Sequence, residues 1–298
     1  MNRESERSVR TDGDPARSFA PPAGRRPDFY REPFRVFVYD SLASTNTFLK
    51  TSLNSFPDYS AVWAINQTGG RGKFERKWIS EPGKDLCFSF ILPLENIPGA
   101  RYPNLTQVTA LAVCRVLQSR GLQPVVKWPN DVLVSGKKIC GILCETAKRG
   151  AAAGAADSMV VGVGININSS PGAPAAMDAP ATSFAAETGR AADLREILDE
   201  LLDAIMPLFL LFKTGGFAPI AGQINERLAY RDATVNLHAT GKTHRGAIKG
   251  LNAEGALLFD CAQCGLMTIF SGNVSLEKIN PDFAAQNSSA SPTCLRLK

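Results

Sequence analysis

The chain has 298 residues, of which 44% are hydrophobic, enough to bury one large core with a smaller second domain. Its 33 lysines and arginines and 28 acidic residues give a net charge of +5, and these charges are interspersed along the sequence. Nucleic-acid binders usually concentrate positive charge on one face, so this balance argues against that class. It favours an ordinary surface with one local cationic site.

The termini, the apolar runs and the cysteines indicate the cellular compartment. The amino terminus has no apolar stretch of the kind that a secretory signal requires. The longest apolar run, 204–212, contains Pro207 and is far shorter than the roughly 20 residues that span a bilayer. Seven cysteines without framework spacing indicate reduced thiols. We therefore expect a cytoplasmic protein without a membrane segment.

Composition divides the chain into two ordered parts and two tails. Residues 1–33 and 283–298 lack apolar periodicity and are predicted to be disordered tails. Residues 34–229 are predicted to form the larger domain. Residues 230–282 contain short strands separated by turn residues, which predicts a small β-barrel.

Hydrophobic periodicity places the elements of the larger domain in chain order. A strand at 34–40 leads into a helix with Ser44 as its N-cap. The further predicted strands are 61–67, 86–94, 125–134, 138–145 and 159–168, and the further predicted helices are 104–121, 192–212 and 218–230.

A glycine-rich cationic segment, GGRGKFERKW at 69–78, follows the strand at 61–67. Glycine lets backbone N–H groups approach an anion, and Arg71 offers a planar fork for a carboxylate or phosphate. Lys73 and Arg76 add positive charge. The segment matches neither the P-loop nor the dinucleotide-binding fingerprint. Alone, it is either an anion site or a solvated basic loop.

A second segment, KWPNDVLVSGKKICG at 127–141, reads as a hairpin. The turn between Asp131 and Lys138 is expected to bring the two side chains to about the same level, so that both face one pocket. The alternative is a surface hairpin whose Trp128 caps the core.

A third segment, GVGININ at 162–168, places two glycines on an apolar strand, which indicates close approach by a neighbour or a ligand. Asn166 must find polar partners if it is buried, either in a ligand or in the protein core. Together the three segments predict a pocket for an anion and a flat polar ligand.

The strings STN at 44–46, QTGGRGKFERKW, KWPNDVLVSGKKICGIL and GVGININ, in this order, resemble the biotin–protein ligase family over about residues 34–280. The resemblance implies an α+β fold with a mixed, mostly antiparallel central sheet, flanking helices and a carboxy-terminal SH3-like barrel. It implies an enzyme that uses ATP and Mg²⁺ to convert biotin to biotinyl-5′-AMP. The biotin then passes to a lysine of a biotin carboxyl carrier protein.

The resemblance also implies roles for individual residues. Biotin contacts are expected from Ser44, Thr45, Gln67, Gly70, Arg71, Gly72, Lys73, Lys138, Gly141, Gly162 and Gly164. ATP contacts are expected from Arg76, Trp78, Asn130 and Asn166. The expected catalytic residues are Lys138 between carboxylate and α-phosphate, Arg71 over both groups, and Asp131 beside the incoming lysine. Two residues depart from the family pattern, Glu75 where glycine is common and Cys140 where alanine is usual.

Several alternatives remain at this level. One is a lipoate–protein ligase of the same fold, and another is a non-catalytic nucleic-acid-binding protein. Cys261 and Cys264, with His238 and His244, could supply zinc ligands, but a plain hairpin turn is the favoured interpretation and no protein-bound metal is expected. Repressor-type members of the family carry an amino-terminal DNA-binding domain, which residues 1–33 are too short to form, so no operator binding is expected. Homodimerisation stays open.

Overall fold

The computed structural model describes residues 25–150, 157–170 and 180–276. In chain order the strands are β1 (Phe29–Arg31), β2 (Phe34–Leu42), β3 (Ser60–Gln67), β4 (Gly70–Arg71), β5 (Lys77–Trp78), β6 (Leu86–Pro93), β7 (Val125–Lys127), β8 (Asp131–Val134), β9 (Lys137–Ala147), β10 (Ser158–Ile165), β11 (Thr234–Ala239), β12 (Lys242–Leu251), β13 (Leu257–Cys261), β14 (Gly265–Ile269) and β15 (Asn273–Leu276). The α-helices are α1 (Thr45–Thr51), α2 (Asn104–Ser119), α3 (Phe184–Thr188), α4 (Leu194–Gly215) and α5 (Ala218–Glu226). Short 3₁₀ helices cover Leu53–Ser55, Lys73–Glu75 and Gly99–Arg101.

The larger sheet has eight strands in the order β1-β2-β3-β6-β10-β9-β8-β7. Strands β2 and β3 are parallel, because α1 carries the chain across between them, and the other neighbouring pairs are antiparallel. This confirms the predicted α+β fold with a mixed, mostly antiparallel sheet. β10 lies in the interior of the sheet, between β6 and β9.

Helices α2 and α4 cover the sheet and share one hydrophobic core with it. In α4, Asp193 is the N-cap and accepts hydrogen bonds from the backbone N–H groups of Arg195 and Glu196, as helix starts favour. The apolar run at 204–212, which includes Pro207, lies inside this helix. Across the described ranges, the helices are too short or too polar to cross a membrane.

The smaller sheet has five antiparallel strands in the order β14-β13-β12-β11-β15, consistent with the predicted SH3-like barrel. Side-chain amides attach it to the helices. Asn104 donates to the carbonyl of Glu254 at 2.8 Å, and Asn225 exchanges two hydrogen bonds with the backbone of Leu251. The predicted boundary at residue 282 lies outside the described residues.

The prediction of a disordered tail over residues 1–33 is wrong at its end. Residues Phe29–Arg31 form β1 and pair antiparallel with Phe34–Val36 of β2, while the Arg31 guanidinium binds Asp203 of α4. In this three-residue edge strand Phe29 packs against the core and Tyr30 is exposed, which is too short a pattern for apolar alternation to indicate a strand. Residues 1–24 and the predicted tail at 283–298 lie outside the described part of the chain.

Candidate active site

A cleft of about 960 Å³, counting space open to solvent, lies on one face of the larger sheet. It is lined by the start of α1, the end of β3, the β4–β5 hairpin, the β7–β8 connection and the glycine-bearing strands β9 and β10, with Ser89 of β6 and Asn273 of β15. The predicted site residues that it brings together are Ser44, Thr45, Gln67, Arg71, Gly72, Lys73, Arg76, Trp78, Asn130, Asp131, Lys138, Gly141, Gly162 and Gly164.

Two glycines of β10 set the depth of the cleft. Gly162 and Gly164 lie two residues apart, so both face the same side of the sheet, about 7 Å from each other. A methyl group on Gly162 would lie 2.3 Å from Asn46 Oδ1, and one on Gly164 would lie 2.3 Å from Trp78 Cε2. Larger residues would displace these side chains. We call the region around Gly162 the amide end and the region around Gly164 the lysine end.

The amide end is a connected network of hydroxyl and amide groups. Thr45 donates its backbone N–H to Gln67 Oε1 at 3.0 Å, and its hydroxyl lies 2.7 Å from Ser89 Oγ. Ser89 in turn donates to Asn46 Oδ1 at 2.7 Å, and Asn46 Nδ2 donates to the carbonyl of Leu143 at 3.1 Å. These bonds fix the donors and acceptors in one arrangement, ready for a polar neutral group.

Helix α1 places part of this network at its amino terminus. Ser44 is the N-cap and accepts from the backbone N–H of Thr47 at 3.4 Å, which confirms the predicted helix start. Asn46 and Ser89 were not among the predicted site residues. The sequence could have indicated Ser89, because it is the one hydroxyl residue in the apolar run of β6 and a buried hydroxyl needs a polar partner. The structure shows that it is fully buried.

The lysine end is held by ion pairs. Lys138 Nζ lies 2.6 Å from Asp131 Oδ1, and Lys127 Nζ lies 3.8 Å from Asp131 Oδ2. Lys138 Nζ is also 5.6 Å from the centre of the Trp78 ring, within the range of a cation–π contact. Two ammonium groups thus surround one carboxylate at the floor of the cleft. Lys127, 8% exposed, was missed from the sequence.

Asp131 and Lys138 meet, although the predicted register is wrong. Asp131 stands opposite Gly141, and Lys138 stands opposite Leu133, with an irregularity in pairing between Val132 and Leu133. The two residues are therefore offset along the hairpin. The long lysine side chain spans the offset, with its Cε and Nζ lying over Gly141, where a methyl group would be 3.2 Å from each.

The glycine-rich segment forms a hairpin rather than an irregular loop. β4 pairs with β5, and the backbone N–H of Gly72 donates to the carbonyl of Arg76 at 2.6 Å. At its tip Phe74 adopts a left-handed conformation with φ of 58° and is 60% exposed. Burial lowers the pKa of Lys73, an effect that the nearby Cys144 and Asp131 partly oppose. The Glu75 side chain lies outside what the structure describes.

Arg71 links the hairpin to a carboxylate that sequence reasoning missed. Its guanidinium donates to Glu145 Oε1 at 2.8 Å and to Thr47 Oγ1 at 3.3 Å. Lys50 and Asn46 also donate to Glu145, at 2.7 and 3.0 Å. Burial raises the pKa of Glu145, but the hydrogen bonds from Lys50, Asn46 and Arg71 outweigh it and hold that pKa below its usual value.

Two predicted contacts do not line the cleft. The Asn166 side chain donates to the carbonyl of Thr182 at 2.9 Å and so anchors the segment before α3. Gly70 packs against Trp78 and Gln67, where a methyl group would lie 2.5 Å from the Trp78 carbonyl oxygen.

Cys140, which stands where the family usually has alanine, is fully buried, and burial raises its thiol pKa well above the usual value.

Asn130 does line the cleft, and its amide donates to the carbonyl of Ile142 at 3.2 Å. The Ile142 N–H donates back to the Asn130 carbonyl at 3.0 Å. These two bonds fix the connection between β7 and β8 against β9. That connection therefore holds Asp131 in place.

Comparisons with known proteins agree with this geometry. Residues 38–166 match the Biotin/lipoate A/B protein ligase family. The chain is 31% identical over 244 residues to the bifunctional ligase/repressor BirA of Bacillus subtilis, covering 81% of this chain and 74% of that protein. It is 32% identical to the biotin–[acetyl-CoA-carboxylase] ligase of Paracoccus denitrificans, covering 73% of this chain and 92% of that protein.

The fold is similar to that of a solved biotin protein ligase from Aquifex aeolicus in complex with biotin and ATP. The TM-score is 0.71 and the identity is 30%, over 80% of this chain and 97% of the other. The chain belongs to the biotin–protein ligase family and is a ligase.

Proposed function

We propose that this protein is an ATP-dependent biotin–protein ligase that forms biotinyl-5′-AMP and transfers biotin to a lysine of a biotin carboxyl carrier protein. The observation that carries the proposal is the pairing of an amide end and a lysine end in one cleft, about 7 Å apart along β10. The solved relative named as a complex with biotin and ATP supports both substrates.

The two ends match the two polar ends of biotin. The ureido ring is neutral and offers a carbonyl acceptor and two N–H donors, which suit the hydroxyl and amide groups of Thr45, Ser89 and Asn46. The valeryl chain is flexible and apolar and ends in a carboxylate. With the ring at the amide end, this carboxylate extends toward Lys138.

In the first step a biotin carboxylate oxygen bonds to the α-phosphorus of ATP, and the bond from that phosphorus to the pyrophosphate oxygen breaks. Both reactants are anions, so fixed cations are needed to offset their repulsion and the charge that grows on the phosphoryl oxygens. Lys138 lies within the cleft, and Arg71 approaches it from the hairpin. We assign these two side chains that role.

In the second step the carrier lysine amine attacks the carbonyl carbon of biotinyl-5′-AMP, and the bond from that carbon to the phosphate oxygen breaks, releasing AMP. The amine loses a proton. Asp131 is the carboxylate that lines the cleft beside Lys138, so we assign it to orient the amine or accept the proton.

Mg²⁺ is expected to come with ATP. Among the described residues that line the cleft, Asp131 is the one carboxylate, and it is already paired with Lys127 and Lys138, so these residues do not form a magnesium cage. Mg²⁺ would therefore be held by the phosphates of ATP and supply positive charge there.

The nucleotide side of the cleft is assigned to the β4–β5 hairpin and the small sheet. Arg76, Trp78 and Asn130 line the cleft together with Asn273, which begins β15 of the small sheet. A second cavity continues from Arg76 and Lys127 to His238 and Lys242 of that sheet. The small sheet therefore completes the surface that faces the nucleotide or the carrier. Asn166, which binds Thr182, is assigned a structural role.

Isotope exchange between pyrophosphate and ATP tests the proposal, because it reports reversal of the first step. We expect the purified full chain to catalyse exchange with biotin and not with lipoate, and then to label a biotin carboxyl carrier domain. Exchange driven by lipoate would assign the cleft to lipoate ligation. No exchange with either acid would refute an adenylating function altogether.

A further inference from the structure

The small sheet carries a cluster of metal-binding side chains that the ligase reaction does not use. His244, Cys261 and Cys264 place their donor atoms within 4.8 Å of one another, and Cys261 Sγ lies 4.0 Å from His244 Nδ1. None of the three lines the cleft or the adjoining cavity. We infer that they form a site for a zinc ion.

Backbone pairing brings the three residues to one place. Cys261 ends β13 and stands opposite Gly246 of β12, so His244, two residues from Gly246, projects on the same face. A tight turn then returns the chain, with Gly265 opposite Cys261, and the N–H of Ala262 donates to the carbonyl of Arg245 at 3.0 Å. This turn presents both sulfurs of the Cys-x-x-Cys sequence toward the histidine.

The spacing suits tetrahedral zinc. With Zn–S of about 2.3 Å and Zn–N of about 2.1 Å, ideal geometry separates two sulfurs by about 3.8 Å and a sulfur from the nitrogen by about 3.6 Å. The 4.0 Å between Cys261 Sγ and His244 Nδ1 exceeds the ideal value by about 0.4 Å, and the 4.8 Å limit on the other separations lies within about 1.2 Å of ideal geometry, a difference that side-chain rotation supplies. Two thiolates balance the charge of Zn²⁺, and binding releases the two thiol protons to solvent.

The second histidine is not part of the cluster. The chain has two histidines, and His238 instead places its ring nitrogens 2.8 Å from Thr243 Oγ1 and 3.2 Å from Ser275 Oγ. Within the described residues the cluster thus has three ligands, and the fourth zinc position is left to water. The ion would link β12 to the turn between β13 and β14.

Metal analysis of the full-length protein tests the inference. Protein stripped with a chelator under reducing conditions, given equimolar Zn²⁺ and desalted, is expected to retain about one zinc per chain. With Co²⁺ instead, it should show the visible absorption of tetrahedral cobalt and a near-ultraviolet thiolate charge-transfer band. Zinc should also raise the midpoint of thermal unfolding.

Substitutions show whether zinc is bound by this cluster or by the other cysteines and histidine of the chain. Cys264 is exposed, so Cys264→Ser should fold normally, lose the retained zinc and lose the thermal shift. His244→Gln should weaken retention and change the cobalt spectrum. His238→Gln, the matched control for loss of an imidazole, should retain zinc and show the thermal shift as wild type does. Failure of wild type to retain zinc, or equal retention by Cys264→Ser, would overturn the site. Exchange activity is measured separately, so this outcome leaves the proposed ligase function untouched.

Discussion

The two ends of the cleft are built from different interactions. At the amide end, Thr45, Ser89 and Asn46 are fixed by hydrogen bonds among neutral groups. At the lysine end, Asp131 holds Lys138 and Lys127 by ion pairs. A neutral group binds equally well throughout a reaction, whereas a cation gains interaction energy as negative charge develops beside it. The difference therefore predicts that the amide end sets KM for biotin and the lysine end sets kcat.

The largest effect is expected from Lys138→Ala. Loss of the ammonium removes the charge facing the developing phosphoryl anion, so we expect kcat for biotin-dependent pyrophosphate exchange to fall by about 10²–10³-fold. KM for biotin should change less than kcat. Initial rates over a range of biotin concentrations measure both constants.

Lys137→Ala is the matched control. Lys137 is the neighbouring residue, and it points to Glu187, 3.3 Å away, rather than into the cleft. Its substitution should leave exchange within about twofold of wild type, as for other exposed ion pairs. A similar loss of kcat in both variants would show that exchange depends on the integrity of the hairpin and not on the ammonium of Lys138.

Gly162→Ala should have the next largest effect, now on KM. The added methyl group would lie 2.3 Å from Asn46 Oδ1, so Asn46 must move away from its bond with Ser89. Overpacking of this kind costs about 1–3 kcal/mol, which corresponds to a rise in KM of roughly 5- to 150-fold.

Gly222→Ala provides the control for this substitution. Gly222 lies in α5, and an added methyl group would meet nothing within 4 Å beyond its chain neighbours and its own helix backbone, so the change should leave KM unaltered and slightly raise stability. If Gly162→Ala lowered kcat with KM unchanged, the two ends would not divide binding from chemistry as proposed.

The lysine end can be predicted from the sequence more readily than the amide end. Lys138 and Asp131 are close in sequence on one hairpin, so their meeting follows from a turn signal even though the register prediction was wrong. The amide end is assembled from distant segments: Asn46 meets Glu145 across 99 positions, and Thr45 meets Ser89 across 44. Such pairs depend on strand order, which periodicity does not supply.

Local periodicity also explains which strands and helices could be predicted from the sequence and which could not. Long elements with strong periodicity, such as α2 and β3, were predicted almost to their ends. The short edge strand β1 was missed, because three residues with one apolar side chain against the core, Phe29, are too few for alternation to indicate a strand.

Ser89→Ala should have a smaller effect on the amide end. The change deprives Asn46 Oδ1 of its donor and Thr45 of a partner, without adding volume. The Thr45 hydroxyl keeps its bond to Gln67 Oε1 at 3.2 Å, so one buried acceptor, Asn46 Oδ1, loses its donor. That loss costs about 1 kcal/mol, so KM for biotin should rise roughly fivefold at unchanged kcat. Ser158→Ala, a buried serine on the same sheet that binds Asp157, should leave KM as it is.

The smallest effect concerns Glu145, the ionised group that borders the otherwise neutral amide end. Its pKa is lowered in the folded protein, because hydrogen bonds from Lys50, Asn46 and Arg71 outweigh burial. The folded state therefore gains stability from this carboxylate above its usual pKa of 4.5 and loses that gain as the pH falls through the lowered value.

Glu145→Gln cannot titrate, so its deficit in unfolding free energy relative to wild type should be greatest near neutral pH and shrink below about pH 4. Urea unfolding at several pH values measures this deficit. Glu95→Gln, at an exposed position after β6, is the matched control for the loss of one carboxylate. A deficit for Glu145→Gln that stayed constant into acid would mean that shape and hydrogen bonding, rather than charge, hold Arg71 against the amide end. In that case the charge of Glu145 would not contribute, and the amide end would rest on neutral hydrogen bonds alone, in clear contrast to the ion pairs of the lysine end.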